Sequence, residues 1–177
     1  MKVQIIGGSG TGKSTLAKFI SEKEQIKWID TDHYLWEDES FTRNNLIEKR
    51  NELYQKDMES CSDYVASGSI FSWCPTGFNN RDLLVFLFLD ESIRMERLRN
   101  RELKRNVSEM WLDENGEYTS DFLEWCKTYR MKVDKSMAGT YAEQSYQMKS
   151  SKSPVLSLDS SRPLEELYAE ILNRISL

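Results

Sequence analysis

Residues 7–14 read Gly-Gly-Ser-Gly-Thr-Gly-Lys-Ser, with Gly7, Gly12, Lys13 and Ser14 at the fixed positions of a P-loop. The chemistry such a run supports is phosphate binding. A backbone built from Gly7, Gly8, Ser9, Gly10, Thr11 and Gly12 curls into a nest whose N–H groups point at phosphate oxygens. Lys13 adds a mobile positive charge for the β- and γ-phosphates, and Ser14 offers a hydroxyl to Mg²⁺ beside Thr15. A helix opening at this point turns its positive end toward the same phosphates. The expected ligand is a nucleoside triphosphate, ATP, with Mg²⁺.

Two carboxylates stand one residue apart in Trp28-Ile29-Asp30-Thr31-Asp32. At the C-terminal end of a parallel strand, where ligands sit in open α/β sheets, Asp30 would serve Mg²⁺ through water and Asp32 would orient or deprotonate an acceptor hydroxyl. Asp-Thr-Asp is also an ordinary capping sequence, and the P-loop is what tips the reading toward chemistry. Arg94, Arg97, Arg101 and Arg105 follow at spacings of 3, 4 and 4, which places them along one helical face. Phosphoryl transfer needs cations near the γ-phosphate, and Arg97 and Arg101 are the candidates. On the acceptor side, Gly68 would permit close approach of a substrate and Ser69 would hydrogen-bond it. Trp36, Arg43 and Arg50 lie in the segment expected to cover that pocket. His33, the single histidine, reads as structural. Backbone groups of 159–162 would meet an adenine edge.

The elements that must position these groups are legible in the apolar pattern. Lys2-Val3-Gln4-Ile5-Ile6 alternates into an apolar end, and Leu16, Phe19 and Ile20 follow at helical spacing. Strand, loop and helix are the context a P-loop demands, and a flexible Gly/Ser linker would not be flanked this way. Further strands are expected at 26–29, 64–66, 84–89 and 154–158, separated by helical or polar stretches, so the sheet should be parallel and doubly wound. Helices are expected at 45–58 and from Asp121 onward, the latter with Phe122, Trp125, Cys126, Tyr129 and Val133 on one side. A last helix carries Leu164, Leu167, Tyr168, Ile171, Leu172 and Ile175 as a core stripe, with Ser161 and Pro163 marking its start. The stretch 106–120 is the least regular, with a turn at Asp113-Glu114-Asn115-Gly116, and reads as a mobile flap.

At 177 residues the chain suits one domain, 1–177, with 39% hydrophobic and 30% charged residues. No apolar run suggests a membrane span, and the first strand starts without a leader. The three cysteines lack metal-ligand spacing and suit a reducing cytoplasm. A net charge of −5 argues against direct nucleic-acid binding. A monomer or a homodimer is expected.

The layout resembles the adenylate-kinase-like small P-loop kinases over essentially the whole chain. That resemblance implies the P-loop nucleoside triphosphate hydrolase fold, a five-stranded parallel sheet in the order 2-3-1-4-5, an ATP site at the P-loop and a short flap at about 106–120. Asp30-Thr31-Asp32 is similar to the Asp-x-Asp of shikimate-kinase-type enzymes, whose first Asp serves Mg²⁺ and second the acceptor hydroxyl. Leu89-Asp90 followed by Arg97-Leu98 and Arg101 resembles the strand end and arginine-rich flap helix of the family. The Asp32–Trp36 spacing and Asp121-Phe122-Leu123-Glu124-Trp125 are similar to the bacterial topology-modulation, adenylate-kinase-related group. The third strand departs from the pattern. It ends in Ser67-Gly68, where nucleoside-monophosphate kinases have Asp-Gly and shikimate kinases three glycines, so the ATP half transfers and the acceptor half does not.

The activity expected is transfer of the γ-phosphoryl group of Mg-ATP to a nucleoside, a nucleotide or another hydroxylated metabolite. A rival is a P-loop ATPase acting as a conformational or partner switch, on the strength of the apolar strand closing in Asp90-Glu91. A GTP switch is weaker, because no Asn-Lys-x-Asp signature occurs.

Overall fold

Strands and helices are interspersed along the chain in the computed structural model, which describes residues 1–37, 43–105 and 107–176. β1 (Lys2–Gly7) runs through the P-loop into α1 (Lys13–Glu24). β2 (Lys27–Asp30) is followed by the single turn α2 (Asp32–Leu35) and by α3 (Ile47–Ser60). β3 (Tyr64–Ser67), β4 (Leu83–Phe88) and α4 (Glu91–Arg105) come next. Beyond them lie β5 (Trp111–Leu112), β6 (Tyr118–Thr119), α5 (Asp121–Lys127), α6 (Tyr141–Ser150), β7 (Val155–Asp159) and α7 (Leu164–Ile175).

The central sheet has five parallel strands in the order β2-β3-β1-β4-β7. With β7 as its fifth strand, this is the 2-3-1-4-5 order of the P-loop nucleoside triphosphate hydrolase fold. β1 lies at the centre, so the loop that leaves it is flanked by strand ends on both sides. Side chains alternate across the sheet. Val3 and Ile5 face α1 and α7, where Leu16, Ile20, Leu167 and Ile171 close a wholly apolar layer. Ile6, Leu84 and Phe86 face the other way and pack with Tyr141 and Met148 of α6. Gln4, also on that second face, is completely buried.

Three expectations are corrected. The stretch after α4 holds an antiparallel hairpin, β5 with β6, joined through the turn closed by the Gly116 amide on the Asp113 carbonyl at 3.0 Å; Asn106, at the start of the expected flap, lies outside the described residues. Two-residue strands, exposed except at Thr119, carry no period-2 signal long enough to read. The helix beginning at Asp121 ends at Lys127, so Val133, expected along one side of it, lies beyond it and is 90% exposed. Finally, α6 was not anticipated. Its buried residues are Glu143, Gln144 and Gln147, so it presents no apolar stripe to recognise.

Candidate active site

The P-loop is shaped by close contacts that only glycine tolerates. Gly10 has φ +86°, and a Cβ there would stand 2.8 Å from Cγ of Leu98 in α4. A Cβ on Gly8 would meet the Tyr129 ring at 3.1 Å. Gly12, also at φ 86°, is the N-cap of α1 and provides no side-chain cap. The first bond into the helix is from the Leu16 amide to the Gly12 carbonyl at 3.0 Å. The first-turn amides of Lys13, Ser14 and Thr15 therefore point off the helix end, the arrangement an anion requires. Lys13 folds back to donate to the Gly8 carbonyl at 3.0 Å, and the Ser14 and Thr15 side chains are exposed. A nest of amides, a lysine and a free hydroxyl fit a Mg²⁺-bound triphosphate.

Asp30 ends β2 beside this loop. Its carboxylate accepts the Asp32 amide at 3.2 Å, which starts α2. Burial, then the neighbouring Asp32 charge, raises the Asp30 pKa above the ordinary carboxylate value. Burial lowers the Lys13 pKa; Asp32 opposes that shift, Arg101 adds to it, and Asp30 opposes it. Lys13, Asp30, Asp32 and Arg101 thus form one electrostatic cluster at the C-terminal ends of the strands. Arg101 lies over the Phe122 ring at 5.4 Å, and its Nε has no hydrogen-bond partner among the described residues.

The arginine row divides. Arg94 is 1% exposed, Arg101 is half-buried, and Arg97 and Arg105 are exposed. Arg101 faces the cluster, while Arg97 sits on the solvent flank of α4 and is not among the charges that shift Lys13. Arg94 is the residue that sequence reasoning undervalued. Its Nη1 donates to the Ser9 carbonyl at 2.9 Å and its Nη2 to the Cys126 carbonyl at 2.8 Å. Nε and Nη2 grip both carboxylate oxygens of Glu91. Arg94 thereby ties the P-loop to α4 and to the end of α5. The seven-residue interval to Arg101, with Leu98 between, was the available signal for a common inward face. Tyr129 and Gln144 were missed as well. The Tyr129 hydroxyl donates to Gln144, whose Nε2 donates to the Gly7 carbonyl at 3.1 Å.

Asp90 and Glu91 do not form a free acidic pair. The Asp90 carboxylate accepts the amides of Ser92 at 2.9 Å and Ile93 at 3.3 Å, capping α4, and Glu91 is held by Arg94.

The acceptor side differs from expectation at β3. Gly68 has φ +110°, and a Cβ on it would collide with Oγ1 of Thr31 at 1.9 Å, so Thr31 fills the space allotted to a substrate. The Ser69 hydroxyl donates to Glu143 at 2.6 Å, lies 3.1 Å from the Gln147 side-chain oxygen and accepts the Phe71 amide at 3.2 Å. Both residues anchor the strand end. Arg50 donates from Nε to the Asn45 carbonyl at 2.9 Å, and Trp36 bridges to Asn44. Arg43 is exposed and pairs with Glu37 at 3.3 Å. His33 is exposed in α2, and Asp159 accepts the Ser161 amide at 2.9 Å, so the 159–162 turn is locally closed.

The fold and the loop define a small protein of the P-loop kinase type. Residues 3–121 match the AAA domain family, and the chain belongs to that family. The chain is 36% identical over 128 residues to the uncharacterised protein YqaC of Bacillus subtilis (strain 168), a match covering 72% of this chain and 71% of that protein. It is 25% identical over 142 residues to a shikimate kinase of Staphylococcus aureus (strain JH9), covering 73% of this chain and 82% of that enzyme. The crystal structure of a gluconokinase from Sinorhizobium meliloti 1021 shares the fold at a TM-score of 0.56 and 18% identity, covering 99% of this chain and 91% of that one. Among the described residues, no helix is long and apolar enough to cross a membrane.

Proposed function

We propose that the protein transfers the γ-phosphoryl group of Mg-ATP to a hydroxyl of a small acceptor. The observation that carries this reading is the P-loop, with Lys13 folded onto the Gly8 carbonyl, beside the β2 end where Asp30 accepts the Asp32 amide; the charges of Asp32, Arg101 and Asp30 all act on Lys13. Two carboxylates next to a phosphate cradle supply separate duties, and two cations supply the charge that phosphoryl transfer demands. The P-loop amides and Lys13 hold the phosphates. Ser14 and Asp30 would hold Mg²⁺, which would supply positive charge to offset that of the phosphates. Asp32, exposed at the start of α2, orients the acceptor hydroxyl and takes its proton. Arg101 stabilises the transferring group. Trp36 and Arg50 border the acceptor side. The hairpin β5–β6, tied to α4 by Arg99 and Glu117 at 2.6 Å, acts as the flap. The relatives that are shikimate kinases and the gluconokinase neighbour both support a hydroxylated, non-nucleotide acceptor. The unit that acts is the single domain 1–177, a monomer or homodimer working in the cytoplasm.

The test is ADP release from Mg-ATP across shikimate, gluconate, nucleosides, nucleoside monophosphates and water alone. One acceptor class should stimulate release strongly, and Lys13→Ala should cut that rate at least about 100-fold with the fold intact. Equal release with water alone, or full turnover by Lys13→Ala, would overturn the proposal.

A further inference from the structure

Away from the P-loop, a cavity of about 350 Å³ opens between the loop that follows β3 and the C-terminal half of α6. That volume falls within the range of small-molecule sites, roughly 300–1,000 Å³. Phe71, Pro75 and Tyr146 form its apolar wall, and the Phe71 and Tyr146 rings meet edge-on at 5.7 Å. Arg81, Ser151 and Lys152 form its polar side.

Arg81 is the unusual member. It is only 6% exposed, yet among the described residues its partners are all neutral. Nη1 donates to Gln4 Oε1 at 3.2 Å and to the Phe78 carbonyl at 3.1 Å, and Nη2 donates to the Ser151 hydroxyl at 2.9 Å. Nε is buried and has no hydrogen-bond partner among the described residues. An arginine offers Nε and Nη2 together as the edge that takes a carboxylate or phosphate in two parallel hydrogen bonds. Arg94 uses that edge on Glu91. Among the described residues, the same edge of Arg81 meets a serine hydroxyl and no other hydrogen-bond partner. Burying a guanidinium without a counter-charge is costly, and an anion in the cavity would remove the cost.

We propose that this cavity binds a small organic anion, a carboxylate or phosphate carried on a flat apolar body. The anionic group sits on the Nε–Nη2 edge of Arg81, the exposed Lys152 adds a second positive charge, and the body lies against Phe71 and Tyr146. Access to the edge requires the Ser151 hydroxyl to turn aside. It has somewhere to go, because the same hydroxyl already donates to the Ser153 carbonyl at 2.9 Å.

The probes are benzoate, phenyl phosphate and inorganic phosphate, titrated by calorimetry into protein saturated with Mg-ADP so that the P-loop is filled. The side-chain Nε–H resonance of Arg81, assigned by its loss in Arg81→Met, reports the contact directly. Benzoate and phenyl phosphate should bind at one site and move that resonance. Arg81→Met should weaken binding by about 10- to 100-fold, the scale of a charge-assisted hydrogen-bond pair. Lys152→Glu, a change at an exposed side chain that leaves the fold intact, should weaken it about tenfold. Tyr146→Ala should weaken the ring-bearing probes only. Absence of saturable binding, or affinities unchanged by Lys152→Glu, would overturn the site. Inorganic phosphate binding as tightly as phenyl phosphate would overturn the organic-anion assignment. None of these readouts requires turnover.

Discussion

Arg94 and Arg81 are both buried guanidinium groups, and their surroundings are opposite. Arg94, beside the P-loop, has a carboxylate on its paired edge and backbone carbonyls from two further elements. Burial alone would lower its pKa, but the hydrogen bond and charge of Glu91 raise it on balance. Arg81, before β4, has only neutral partners, and burial lowers its pKa. The first is a closed clamp that fixes where Ser9 places the phosphate nest. The second is an open position with one edge unused. A buried charge is therefore informative through its partner set, and only the complete set marks a structural role.

Removing the clamp should have the largest effect. Arg94→Met leaves Glu91 without its cation and takes a charged donor from the Ser9 and Cys126 carbonyls, of which Cys126 keeps the Tyr129 amide at 3.2 Å. We expect a loss of about 1.5–3 kcal/mol in urea unfolding, the scale of lost charge-assisted hydrogen bonds, together with weaker ADP binding. Arg94→Lys should recover little, because an ammonium cannot reproduce the fork. A stable Arg94→Met protein with wild-type ADP affinity would erase the contrast between the two arginines.

The second effect lies between them. Gln4, buried at the centre of β1, donates to the Gly68 carbonyl at 3.0 Å and accepts from Arg81 and from Gln147 at 3.3 Å. Gln4→Leu strands those groups and should cost about 1–3 kcal/mol. Adding Gln147→Leu removes one of the stranded donors, so the double variant should lose less than the sum of the singles. Simple additivity in equilibrium unfolding would show that the polar centre of this face does not act as a network.

How much of this was legible follows the same division between apolar and polar burial. The P-loop, the parallel sheet and α7 were readable because Val3, Ile5, Leu167 and Ile171 write their periods in apolar residues. The end of β3 was not decidable from sequence because Gly68 and Ser69 look identical whether they face a substrate or contact Thr31 and α6, as they do here. α6 was invisible because its fully buried residues are Glu143, Gln144 and Gln147, which a hydrophobic pattern scores as solvent-facing, and the apolar Tyr141 and Met148 beside them are too sparse to make a stripe. Arg94 was hidden in a row of four arginines. Spacing gives a face, but tertiary packing decides which of its members turns inward.

Arg81→Met should be nearly silent for stability, with a cost under about 1 kcal/mol in the absence of ligand. Each group that it abandons keeps another partner. Gln4 Oε1 keeps Gln147, the Ser151 hydroxyl keeps Ser153, and the Phe78 carbonyl keeps the residue 81 amide at 3.0 Å. A loss comparable to that of Arg94→Met would mean that the guanidinium is a structural clamp after all.

The smallest effect is a displacement of two titrations at the phosphate end, where Lys13 and Asp30 also lack complete partner sets. Asp32 is the largest charge acting on both, and it acts in opposite senses on their charged forms. It favours the ammonium of Lys13, so Asp32→Asn removes support and the Lys13 pKa should fall further below its ordinary value. It disfavours the carboxylate of Asp30, so the same substitution removes repulsion and the Asp30 pKa should fall back toward the usual carboxylate range. Both titrations therefore move to lower pH, although one group is a cation and the other an anion. Asp32 is assigned a part in catalysis, so rate profiles would confuse the two effects; side-chain NMR titration of Lys13 and Asp30 in nucleotide-free protein separates them. Shifts in opposite directions, or none, would remove Asp32 from the cluster and with it the arrangement proposed to transfer the phosphoryl group.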